Sequence, residues 1–140
     1  MTLEKYAMKF GIEIPFVSLL GFQLGLFENG NSQISYEPKP EHYNSLNGVH
    51  GGVSMTLLDV AMALAARSVE PELAVLTIEM KTTFMQAAVG DLVAKGSLLK
   101  RTKKMAFTQA SVYDSKGNLC AHATGTFKYV TRISNLPTNQ

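Results

Sequence analysis

The chain alternates between polar and apolar positions in two segments, becomes apolar almost without interruption, and then alternates again in four more segments. Over residues 21–28, Phe22, Leu24 and Leu26 take turns with Gln23 and Gly25, the period of a half-buried strand. Asn29-Gly30 follows, and a type I′ turn needs positive φ at both central positions, so a hairpin into a second strand at 31–37 is expected. Pro38 and Pro40 close that strand, because proline cannot donate to a ladder. Residues 41–49 read as a polar, turn-rich loop. From about 50 to 68 the residues are apolar nearly all round, as in a buried helix, and Pro71 ends the helical region. Strands are expected at 74–86, 92–100, 105–113 and 119–130, separated by Gly90-Asp91, Lys103-Lys104 and the turn 114–118. Ala121, Ala123 and Gly125 share one face of the last strand, where small side chains let a helix come close. Upstream, Leu3, Tyr6 and Phe10 fall near helical spacing behind Thr2, which predicts a short amphipathic helix over 2–10. Gly11 ends it, and Pro15 breaks the chain before the first strand. Residues 131–140 are polar and are expected to fray.

The resulting order is β-β-α-β-β-β-β with a short extra N-terminal helix. It describes an α+β fold, a strongly curved antiparallel sheet wrapped around one long central helix with one face against it. No repeat or linker divides the sequence. Residues 1–140 are therefore read as one domain, with 1–15 as N-terminal helix and linker and 131–140 as a tail. At 140 residues and 46% apolar the chain can build a real core. A net charge of +2 argues against a dedicated nucleic-acid binder. The single cysteine, Cys120, permits no internal disulfide and suits a reducing compartment. Residues 1–20 lack the uninterrupted apolar core of a signal peptide, and the longest apolar run, near 53–66, is interrupted by Asp59. A cytoplasmic domain with no membrane partner is expected.

The chemistry gathers at the helix. Its start, His50-Gly51-Gly52, would present unsatisfied backbone N–H groups and a partial positive charge, and glycine lets a ligand approach that backbone. Two readings follow: an oxyanion site with Gly51 as donor, or a tight turn into a crowded helix. Asp59 also has two readings, a general base or nucleophile, or a structural carboxylate held by backbone or a basic neighbour. Asn44 either donates its amide to the same carbonyl or shapes the loop, and His50 either contacts a ligand or orients Gly51. His42 and His122 read as ordinary surface or sheet residues, and Cys120 as a small hydrophobe. Arg101, Lys103 and Lys104 form either a solvated hairpin or a mouth for substrate phosphates. Phe16, Phe22, Met55, Met62, Phe84 and Met85 are either pocket walls or core. No metal-ligand spacing, P-loop or Rossmann glycine pattern is present in the sequence, so neither metal nor cofactor is expected.

Helix geometry constrains these readings. Gly51 and Asp59 are eight residues apart, about 12 Å along one helix. A reacting carbonyl needs donor and base each within about 3 Å. If both act, they come from the antiparallel helices of two copies, giving a two-fold dimer with two equivalent interfacial sites.

His50-Gly51-Gly52 followed by Leu58-Asp59-Val60-Ala61 and Ala65 resembles the signature of the hotdog-fold acyl-CoA thioesterases, in their PaaI-like branch. The resemblance extends over about residues 20–130 and takes in Asn44, Thr77, the Gly90-Asp91 turn and Met105-Ala106-Phe107. It implies a hotdog fold, dimers often paired into tetramers, and hydrolysis of acyl-CoA thioesters at the dimer interface, with CoA as part of the substrate. In that pattern Gly51 donates to the thioester carbonyl, Asn44 assists it or the attacking water, and Asp59 of the partner chain activates water or attacks. Thr77 falls where the family places a hydroxyl. Strand alternation sets Thr77 on the face opposite Leu76, Ile78 and Met80, so it points away from the helix if those three face it. A dehydratase of the same fold would need a histidine paired with a helix carboxylate in another local motif, which the sequence lacks. A non-catalytic acyl-CoA sensor using the same groove is the alternative.

Overall fold

The structure, a computed structural model, describes residues 14–132. The helix expected over 2–10 and residues 133–140 of the expected tail lie outside the described residues.

The first described element was not anticipated. Pro15 does not simply break the chain; it starts a short helix, α1 (Pro15–Leu20). Proline suits the first helical position, because the N–H it lacks would have no partner there. Gly21, at φ 80°, closes α1 by donating its N–H to Val17 and Ser18. The predicted hairpin follows, with β1 (Gln23–Glu28) and β2 (Asn31–Tyr36) joined through Asn29 at φ 52° and Gly30 at φ 79°.

The long helix, α2 (Gly51–Arg67), has His50 as N-cap and Ser68 as C-cap. The remaining strands are β3 (Leu73–Phe84), β4 (Leu92–Arg101), β5 (Met105–Asp114) and β6 (Leu119–Thr131). All pair antiparallel into one sheet in the order β1-β2-β4-β5-β6-β3. β1 and β3 are therefore its edges. β3 stops short of the expected residue 86, because the Met85 and Gln86 N–H groups both turn onto the Cys120 carbonyl.

The inner sheet face is floored with small residues beneath α2. Ala94, Ala110, Ala121 and Ala123 are buried there against Leu57, Leu58, Ala61 and Met62 of the helix. Each large helix side chain so buried contributes about 1.5–3 kcal/mol. The contact is tightest at Gly96, where a Cβ would stand 2.4 Å from the Ala61 carbonyl oxygen. The Ser32 hydroxyl donates to that same oxygen at 2.6 Å.

Two bulges change which residues face this floor. Gly25 is an extra residue in β1, so Phe27, rather than the expected Leu26, follows Phe22 and Leu24 toward the core. Ile78 is an extra residue in β3, so Leu73, Val75 and Met80 all pack inward while Leu76 and Ile78 stay exposed. No helix among the described residues is long and apolar enough to cross a membrane.

Gly96→Ala should lower stability by about 3 kcal/mol, the upper end for overpacking, because the Ala61 carbonyl is backbone and cannot step aside. Ser32→Ala should cost about 1 kcal/mol. Thermal melts check both, and an unchanged melting temperature for Gly96→Ala would refute the close approach.

Candidate active site

The loop before α2 is built as a small closed frame. The Asn44 N–H donates to the Gly48 carbonyl, and the His50 N–H to the His42 carbonyl. The Asn44 side-chain oxygen accepts the N–H groups of Leu46 (2.8 Å) and Gly48 (3.0 Å). Asn44 therefore shapes the loop through its oxygen, while its amide nitrogen has no acceptor among the described residues. Asn47 takes φ 63°, a left-handed conformation that asparagine tolerates better than most residues.

His50 caps the helix with its ring. Its Nδ1 accepts the Gly52 N–H at 2.8 Å, which caps the helix and removes one of its orphan donors. The Gly51 N–H has no partner among the described residues. The Phe84 ring lies along Gly51, where a Cβ would meet it at 3.4 Å. Asn44, Gly51, Ser54, Phe84, Met85 and Cys120 are among the residues lining one cleft of about 400 Å³. Of the aromatic and methionine candidates, Phe84 and Met85 are thus cleft walls, and Phe22 and Met62 are core. Burial and the nearby Asp114 charge raise the Cys120 thiol pKa, away from the reactive thiolate.

Asp59 lies at the midpoint of α2, eight residues from either end. It is half-buried, and its Oδ1 accepts the Thr77 hydroxyl at 2.7 Å. Burial raises the Asp59 carboxyl above its ordinary value, and the Thr77 hydrogen bond acts against that rise. The β3 bulge resolves the orientation of Thr77: its hydroxyl meets the helix, while Leu76 and Ile78 face outward. Asp59 and Thr77 do not line the cleft that holds Gly51 and Asn44. Within one chain the structure brings together two pairs, donor with donor and carboxylate with hydroxyl, and leaves them half a helix apart.

Arg101, Lys103 and Lys104 lie beyond the C-terminal end of α2, away from Gly51. Arg101 is engaged already, in an ion pair with Glu70 at 2.9 Å and with its guanidinium 4.5 Å from the Tyr129 ring centre. Lys103 and Lys104 are exposed. No cluster of His, Cys, Asp and Glu suited to a metal occurs among the described residues.

His42 corrects an expectation. It is buried at 9% exposure, not an ordinary surface residue, and its Nδ1 accepts the Tyr36 hydroxyl at 2.5 Å. Its place two residues before Asn44, just behind Pro38 and Pro40, was the available sequence signal. His122 does lie on the outer sheet face, bonded to Ser111 at 2.8 Å.

A profile of the thioesterase superfamily matches residues 46–121, which contain Gly51, Asp59 and Thr77. A protein of Archaeoglobus fulgidus, provisionally named an esterase, is 36% identical over 110 residues, 77% of this chain and 70% of that one. Human acyl-coenzyme A thioesterase 13 is 32% identical over 89 residues, 61% of this chain and 64% of that one. The PaaI protein from the phenylacetic acid degradation operon of Escherichia coli superposes with a TM-score of 0.80, at 18% identity and 90% coverage of both chains. With the curved six-stranded sheet, the central helix and the His50-Gly51-Gly52…Asp59 spacing in place, the chain belongs to the thioesterase superfamily, as a thioester hydrolase of the hotdog fold.

Proposed function

We propose that the chain hydrolyses acyl-CoA thioesters at a site completed by two copies of itself. The carrying observation is the separation of the Gly51 N–H, which has no partner among the described residues, from Asp59 by half a helix, about 12 Å. One copy supplies the Gly51 N–H and the Asn44 amide to the thioester carbonyl oxygen, and Asp59 of the partner subunit faces the carbonyl carbon. In the base route the carboxylate takes a proton from water as the water oxygen bonds to that carbon. The tetrahedral oxyanion is held by the two donors. The C–S bond then breaks, and the CoA thiolate leaves and is protonated. In the nucleophile route the carboxylate oxygen itself bonds to that carbon, the C–S bond breaks and the CoA thiolate leaves, and water opens the resulting anhydride to return the Asp59 carboxylate and the free acid. The Thr77 hydroxyl fixes the carboxylate oxygen for either route.

Several features support this reading. Ionised Asp59 is needed, and burial makes its ionisation harder, which holds a reactive carboxylate in a partly dry place. The β3 edge has no strand partner among the described residues, and the strand exposes Leu76 and Ile78 at 56% and 54%. A long, apolar, open edge is a template for a second chain. Phe84, Met85 and Leu46 give the cleft apolar walls suited to an acyl group. Lys103 and Lys104 remain available for CoA phosphates, whereas Arg101 is held by Glu70.

Thiol release from a panel of short, medium, long and aromatic acyl-CoAs tests the activity, and binding without release would favour the sensor. Asp59→Asn should lower kcat by about 10²-fold or more with the fold retained, on the scale of general acid–base catalysis. Oxygen-18 in Asp59 after a single turnover marks direct attack, and label confined to the product acid marks base catalysis. Gly51→Pro removes the donor N–H at a position that accepts proline, behind a His50 already at φ −55° and ψ 136°. Its expected loss in kcat is about 10²–10³-fold.

Mixing the two inactive variants tests the shared site. A random mixture forms dimers with one intact site each in half the population, recovering about a quarter of wild-type activity. No recovery would place the whole site in one chain. Salt sensitivity of KM should follow Lys103 and Lys104 rather than Arg101.

The pH dependence has a definite sign. A carboxyl whose pKa is raised on folding favours the folded state below its unfolded value, and that contribution is lost as pH rises through the folded value. Asp59→Asn should therefore raise the melting temperature at neutral pH, and the gain should vanish in acid. In the wild type the acid limb of kcat/KM should lie above the ordinary carboxylate range.

A further inference from the structure

We propose that Tyr36 and His42 form a positioning pair that sets the orientation of the Gly51 peptide through the loop that carries Asn44; the inference rests on the catalytic reading above. Neither side chain lines the cleft that holds Gly51, so neither is a catalytic residue. What they do is tie that loop to the core.

Tyr36 ends β2 and is 3% exposed. Phe22 meets its ring edge-on, with centres 5.2 Å apart, and the His42 imidazole stacks on it at 5.7 Å and 22°. Burial and the neighbouring Tyr43 push the Tyr36 phenol up to about 12, so it remains an O–H donor. His42 Nδ1 accepts that hydroxyl and, at 3.2 Å, the Lys39 N–H. Two donors converge on Nδ1, so the ring proton sits on Nε2.

From His42 the chain of contacts to the donor is short. The His42 carbonyl accepts the His50 N–H at 2.9 Å, and the peptide that follows His50 carries the Gly51 N–H. The next residue is fixed by the same histidine, since His50 Nδ1 takes the Gly52 N–H. On its other side the loop is pinned by Val49, whose N–H donates to the Ala88 carbonyl at 2.7 Å. The Asn44 frame lies between these two anchors.

An oxyanion donor acts only where it meets the developing charge, and a shift of about 1 Å can cost about 10²-fold in rate. A loop of polar residues on the surface does not hold such a position unaided. The Tyr36 hydroxyl supplies the fixed point. It is set in the core by aromatic packing, and it holds the histidine whose own carbonyl holds His50. The pair transmits position, not charge.

Tyr36→Phe removes one hydroxyl and leaves the ring in the core. In the full chain we expect kcat to fall about tenfold with KM within about twofold, from a small displacement of the donor. The Gly51 and Gly52 amide resonances should shift with it. Thr108→Val is the control: it removes a buried hydroxyl bonded to the Gly125 carbonyl, far from the loop. It should lower the melting temperature comparably and leave kcat and both amide resonances in place. His42→Asn, which offers an oxygen near the position of Nδ1, should retain more kcat than His42→Ala. Wild-type kcat in Tyr36→Phe well below its melting temperature, or unmoved Gly51 and Gly52 resonances, would overturn the pair. If Asp59→Asn is inactive while Tyr36→Phe is fully active, the positioning inference fails and the catalytic reading stands. If the wild type cleaves no acyl-CoA, the catalytic reading fails, and the amide resonances still decide whether the pair orients the loop.

Discussion

Everything in this fold depends on how closely the central helix sits on its sheet. The Ala61 carbonyl oxygen lies 2.4 Å from where a Cβ on Gly96 would stand, and the Ser32 hydroxyl reaches up to that same oxygen. A mid-helix carbonyl already engaged in the helix has a lone pair left for one further donor, so the contact bonds the helix to the floor as well as packing it there. The alanines on β4, β5 and β6 extend this contact along the helix, and Gly125 makes room for Met62. Once the helix is fixed in depth, its two ends and its midpoint are fixed too, and with them the Gly51 N–H, the Asp59 carboxyl and the Glu70–Arg101 ion pair.

The start of the helix has more than one orphan donor, and their fates differ. His50 folds back on Gly52 and spends that N–H on structure, while the Gly51 N–H has no partner among the described residues. A serine or aspartate cap would satisfy the same helix end. A histidine does so with a ring nitrogen while its main chain stays bonded to His42. Cap and anchor are thus combined in one residue, next to the peptide that carries the Gly51 N–H.

Much of this was legible in the sequence because it rests on local rules. Asn29-Gly30 specifies its own turn, and the run from Gly51 to Arg67 is helical and buried on apolar content alone. The small residues on the last strand announced the close approach. What escaped was non-local or out of phase. Proline in a sequence signals a break and a helix start alike, and at Pro15 only Gly21 behind it distinguishes the two. Strict alternation gives Leu26 the inward place that belongs to Phe27, because a bulge at Gly25 is invisible to it. His42 escapes local rules, because its partner, Tyr36, belongs to a different element and meets it only after the strand and the turn have folded. The site itself was half legible: the eight-residue spacing of Gly51 and Asp59 could be counted, whereas the hydroxyl bonded to Asp59 could not be aimed without the sheet.

The extra residue in β3 has a consequence for how such chains are compared. Ile78 shifts the phase of the strand, so the half before it and the half after it obey opposite parity. Odd-numbered positions face inward through Thr77, and even-numbered positions from Met80 on. Two relatives aligned by hydrophobic alternation alone will match correctly on one side of that residue and be inverted on the other. Straightening the bulge with Ile78 retained would leave every strand pairing formally possible, yet it would turn Leu73, Val75 and Thr77 to the outside together. The carboxylate of Asp59 would then lose its hydroxyl partner through a change in counting, with no substitution at either residue.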